Sequence, residues 1–89
     1  MSRIPERVEL REVETVMRRI GFRRIRTTGL HLVFYHPDTH ATVILPRTRY
    51  LGLAHLSQIR RIVDESGTLL KEEFDELLGE EIARGFDEQ

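Results

Sequence analysis

The sequence predicts an α+β domain: a three-stranded antiparallel sheet covered on one face by two helices, with a short helix at the C-terminal side. Three observations lead there. Two segments carry apolar residues at helical spacing, one on each side of the middle of the chain. Between them lie three short runs rich in β-branched and aromatic residues, separated by turn signals. The length of 89 residues suits one small domain with a simple core. The whole chain is read as a single domain, with a core over about 7–78 and an acidic extension over 79–89.

The first helix is expected from about Pro5 or Arg7 to Ile20. Val13, Val16, Met17 and Ile20 fall at helical spacing among charged residues. Gly21 suits the position that ends a helix, and Arg18 and Arg19 suit the negative end of its dipole. Phe22 to Thr27 reads as a strand and Thr28-Gly29 as a tight turn. Leu30 to His36 is a second strand, rich in Val, Phe and Tyr. Pro37-Asp38-Thr39 is a turn, and His40 to Leu45 is a third strand closed by Pro46. Short connections make the three strands an antiparallel meander. Arg47 to Gly52 reads as a loop. Leu53, Leu56, Ile59, Ile62 and Val63 mark the second helix, which ends near Ser66-Gly67. Leu70, Phe74, Leu77 and Leu78 mark a short third helix stopped by Gly79. Beyond it, the acidic residues Glu80 to Gln89 are expected either to fray or to lay Ile82 and Phe86 on the body. This order of elements matches that of double-stranded-RNA-binding domains, a likeness of fold that does not by itself define function.

The net charge of −1 hides an asymmetry. Residues 1–63 hold twelve arginines against five acids, a net of +7. Residues 64–89 hold two cations against ten acids, a net of −8. A basic body points to nucleic acid or an acidic partner; the other reading is that the two halves pair with each other. There is no cysteine, hence no disulfide or thiolate metal site. No apolar run reaches the ~20 residues needed to cross a bilayer, and no signal peptide is read, so the expected compartment is the cytoplasm.

The candidate chemistry centres on His31. The four histidines, His31, His36, His40 and His55, lack the spacing of a zinc site, and no phosphate loop or dinucleotide fingerprint occurs. No cofactor is expected. His31 follows the Thr28-Gly29 turn, with Arg23, Arg24 and Arg26 on the preceding strand. Histidine titrates near neutrality and arginine holds phosphate, so this grouping suits cleavage of RNA through its ribose 2′-hydroxyl. The competing reading makes His31 an ordinary strand residue and the arginines a solvated surface. Alternation puts His31, Val33 and Tyr35 on one face and Leu30, Leu32 and Phe34 on the other; the second set, being more apolar, is expected to face the helices. His36 is expected to serve the turn, and His40 to be structural or peripheral. His55 is expected to lie on the exposed face of the second helix. Tyr50 is a candidate for stacking on a base, against the commoner role of packing on the body.

At these residues the chain resembles the HicA toxin family. The likeness covers roughly residues 10–78 and rests on an ordered series. It runs through Ile20-Gly21-Phe22, Arg26, Gly29-Leu30-His31, Phe34-Tyr35-His36-Pro37-Asp38 and Thr42-Val43-Ile44-Leu45-Pro46. It continues through Leu56-Ser57-Gln58-Ile59, Glu65-Ser66-Gly67 and Glu72-Glu73-Phe74. The resemblance implies a small endoribonuclease (an mRNA interferase) that works without a metal, with His31 as its catalytic histidine. It also implies a HicB-like antitoxin as partner and mRNA as substrate. Leu30 stands where the family carries Ser or Thr. Two alternatives therefore accompany the enzyme: a catalytically degenerate RNA-binding module, and a protein-interaction domain whose acidic segment docks on a basic surface.

Overall fold

The computed structural model describes residues 7–87, with side chains through Gly85. Its elements are β1 (Arg7–Glu9), α1 (Leu10–Arg19), β2 (Arg23–Thr27), β3 (His31–Tyr35) and β4 (Thr42–Pro46). β5 (Tyr50–Gly52), α2 (Leu53–Glu65) and α3 (Lys71–Asp87) complete the chain. The expected α+β arrangement is present, with β2-β3-β4 as a three-stranded antiparallel sheet.

The core is one cluster. The sheet contributes Leu32, Phe34, Val43 and Leu45. α1 contributes Val13, Val16 and Met17, and α2 contributes Leu56, Ile59 and Val63. Phe34 pairs with Val43, and Leu32 with Leu45, so cross-strand neighbours bury together.

α1 starts later than expected. The Pro5 start lies outside the described residues; Arg7–Glu9 is extended and pairs antiparallel with Tyr50–Gly52, inside the segment read as a loop. The helix can begin at Leu10 because its first turn is satisfied. The Glu9 N–H donates to the Glu12 carboxylate at 3.0 Å, and the Leu10 N–H donates to the Arg49 carbonyl at 2.8 Å. The signal was easy to miss because glutamate is not among the residues preferred at a helix start.

α1 ends as expected at Gly21, which has φ +107°. The Phe22 N–H reaches the Met17 carbonyl at 2.9 Å and the Gly21 N–H reaches Arg18 at 3.2 Å, the paired bonds of a Schellman ending. α2 ends the same way at Gly67, through Thr68 to Val63 at 3.1 Å and Gly67 to Asp64 at 3.0 Å.

His36 locks the first of these endings to the sheet. Its ring is buried, and its Nδ1 accepts from the N–H groups of Asp38 and Thr39 at 3.2 and 3.3 Å. That leaves Nε2 as the protonated nitrogen, which donates to the Ile20 carbonyl at 2.9 Å. Phe22 meets the same ring edge-on, with centroids 5.2 Å apart. The ring fills the space beside Gly21, where an added Cβ would lie 2.5 Å from Nε2.

α3 does not stop at Gly79. It runs 17 residues, through Gly79 and Gly85. Glycine inside a helix costs about 1 kcal/mol relative to alanine. Burial of Phe74 and Leu78, together with the packing of Leu77 and Ile82 against the core, outweighs that. Asp75 also takes a two-pronged bond from Arg60 of α2, at 2.7 and 2.9 Å. Among the described residues this is the one ion pair joining the basic body to the acidic segment. Ile82 lies against the core as one expectation had it; the side chain of Phe86 lies outside the described residues.

Two substitutions check this account by chemical denaturation. Gly21→Ala should cost about 2 kcal/mol or more, because it combines a left-handed backbone with a collision at His36. Phe74→Ala should cost about 3–5 kcal/mol, as for a core phenylalanine; a loss under about 1 kcal/mol would mean that α3 is an accessory.

Candidate functional site

The turn that delivers His31 is built by threonine and arginine more than by glycine. Thr28 Oγ1 accepts from the Leu30 N–H at 3.2 Å and the His31 N–H at 2.9 Å, and the Thr28 N–H donates to the His31 carbonyl at 2.9 Å. Arg47, just past β4, closes the turn from the other side. Its N–H donates to the Leu30 carbonyl and its Nη1 to the Thr28 carbonyl, both at 2.9 Å. Gly29 has no left-handed backbone, and an added Cβ would meet nothing within 4 Å. The turn itself therefore does not require that glycine. Arg47 carried no role in the sequence reading, because its two acceptors lie 17 and 19 positions earlier in the chain.

His31 opens β3 opposite Pro46 and is exposed. Leu32 and Phe34 point into the core, so His31, Val33 and Tyr35 occupy the face that the helices leave uncovered, as alternation predicted. Leu30 departs from that expectation. It precedes the strand and is 74% exposed, since its backbone belongs to the turn.

A bulge in β2 sorts the three arginines. The pairing runs Arg23 with Tyr35 and Arg24 with Phe34, then slips past Ile25 so that Arg26 faces Val33. Paired residues share a face, so Arg23 and Arg26 join His31 on the open side. Arg24 shares the helix-covered side with Phe34 and reaches Glu14 of α1 at 3.5 Å; the same carboxylate takes Arg18 at 2.7 Å. Arg26, Thr28, His31, Val33 and Ile44 line one open depression on the sheet. Adjacency in the sequence puts the three arginines in one group; simple alternation cannot foresee an extruded residue.

Tyr50 lies elsewhere, on the β1-β5 ribbon. Its ring is flanked by the guanidinium groups of Arg7, 4.2 Å from the ring centroid, and Arg49, at 5.3 Å. Nearby Glu9 hydrogen-bonds Arg11 and raises the affinity of that guanidinium for its proton. His36 is structural, as described above. His55 is half-buried where full exposure was expected, at the start of α2. His40 is exposed at the far end of the open face, with its ring parallel to that of Tyr35. Among the described residues no group of three His, Cys, Asp or Glu side chains is placed to hold a metal ion, and no helix is long and apolar enough to cross a membrane.

A small helix-backed antiparallel sheet with His31, Arg23 and Arg26 on its bare face defines the class of domain: a compact α+β unit whose sheet is covered on one side only. The family model of the HicA toxins of bacterial toxin–antitoxin systems matches residues 10–64. That is more than half of the chain, and the chain belongs to this family. Membership implies an antitoxin as partner. No curated protein and no solved structure matches the chain.

The role of Thr28 has a direct check. Thr28→Val should cost about 1 kcal/mol and speed hydrogen exchange at the His31 amide, while Thr28→Ser should restore both. Unchanged exchange in the valine variant would remove Thr28 from the support of His31.

Proposed function

We propose that the chain is a toxin-type endoribonuclease that cleaves mRNA in the cytoplasm on the open face of the sheet, with a HicB-like antitoxin covering that face. The observation that carries the reading is the exposed His31 set beside Arg26 in one depression, with Arg23 further along the same face. In the proposed reaction His31 takes the proton of a ribose 2′-hydroxyl as that oxygen attacks the adjacent phosphorus. The bond to the 5′-oxygen of the next nucleotide breaks, that oxygen takes up a proton, and a cyclic phosphate is left. Arg26 offsets the charge that develops on the phosphoryl oxygens, a task suited to its fixed fork of donors. The reaction as proposed uses no metal ion and no cofactor.

A second reading, a member that binds RNA without cutting it, has its own observation. Of the residues lining the depression, His31 is the one imidazole, and Leu30 beside it offers no hydroxyl.

The two readings part in a cleavage assay with chelator present. His31→Ala should lower RNA cleavage by about 10²–10⁴-fold and relieve growth arrest without moving the thermal midpoint. Arg26→Ala should weaken RNA binding and reduce its salt dependence by about one phosphate contact, whereas Arg24→Ala should leave that slope alone. Wild-type protein that binds RNA yet leaves it intact would favour the binding-only reading.

A further inference from the structure

The end of the open face opposite His31 carries a pair of rings that the turn beside it does not need. Tyr35 projects there from the last position of β3, opposite Arg23 of β2 and Thr42 of β4. His40 comes from the β3-β4 turn and lays its ring parallel to Tyr35, within 9°, with centroids 6.1 Å apart. The two rings form a nearly parallel pair at a wide separation, His40 exposed and Tyr35 half-buried. His40 has φ +64°, the one positive value among the described residues other than glycine. The turn is closed by backbone bonds, from the His40 N–H to the His36 carbonyl at 2.8 Å and from the His36 N–H to the Ala41 carbonyl at 2.9 Å, and by the side chains of His36 and Thr39, which accept from its N–H groups; the hydrogen bonds that close it do not use the His40 side chain. Glycine or asparagine would close it with less strain. An imidazole held in a left-handed backbone therefore supplies something that the turn does not ask for.

We propose that Tyr35 and His40 form a stacking subsite for an unpaired nucleobase of single-stranded RNA, with Arg23 beside it for the adjoining phosphate. The inference rests on the RNA-cleaving reading of this face and names where the strand lies on it. Flat aromatic surface on an open sheet accepts a base of any sequence, and a neighbouring guanidinium tracks the backbone. Tyr35 is four residues from His31, roughly 13 Å at about 3.3 Å per residue. The stacked base is thus more than one nucleotide from the phosphate at His31. The strand would run along β3, over Val33 and Ile44, from the rings to the histidine. A base in a duplex, being already stacked, is a poor occupant.

The test uses the full chain carrying His31→Ala, so that RNA survives the measurement, and follows fluorescence anisotropy of a labelled oligoadenylate. Adding His40→Gly or His40→Asn should each weaken binding by about 5- to 100-fold. The thermal midpoint should stay level or rise, because both residues suit the left-handed backbone. Tyr35→Phe keeps the ring and should bind like the parent, while Tyr35→Leu should bind like the His40 variants. A duplex of the same length should bind less tightly than the single strand. Parent and His40 variants binding the single strand equally well would overturn the subsite and leave the RNA reading standing. A parent that binds no oligonucleotide at low salt would overturn both.

Discussion

The buried imidazole of His36 is the contact on which the rest of the architecture turns. It answers an open carbonyl at the end of α1 and two open N–H groups in the β3-β4 turn, using both ring nitrogens. Few residues join a helix end to a strand turn with one planar group, and the fit leaves Gly21 no room for a side chain. The end of α1 is fixed to the end of β3 there, one residue past Tyr35. The histidine proposed for catalysis and the structural one thus stand at the start of one short strand and just past its end.

Much of this was legible in the sequence for a definite reason. β3 has one buried and one open face, so its alternation encodes orientation, and His31 fell on the predicted side. Gly21 and Gly67 were legible as helix ends because a left-handed backbone favours glycine. What escaped had causes that lie far apart in the chain or break a period. Arg7–Glu9 is a strand only because Tyr50–Gly52 comes to lie beside it. Gly79 is carried inside a helix by side chains buried before and after it. The arginines of β2 were grouped by adjacency, whereas one extruded residue parts them.

The match to the family model ends at residue 64, yet the core does not. Phe74 and Leu78 of α3 are as deeply buried as the residues of α1 and α2, and Arg60 grips Asp75 with both prongs of its guanidinium. The acidic segment is therefore fastened along one face and free along the other. Its buried side completes the helical layer. Its exposed Glu72, Glu73, Glu76 and Glu80 remain a negative surface on a molecule whose other parts are basic.

The bulge at Ile25 bears on solubility as well as on aim. β2 is an outer strand, and an outer strand with regular spacing is a template for another chain to extend. Here the spacing is broken at its middle and flanked by charged side chains on both faces, so a newcomer would find neither a continuous row of bonding groups nor a neutral surface. The irregularity that parts the guanidinium groups between two faces thus also blunts this rim of the sheet, leaving β4 as the regular outer strand.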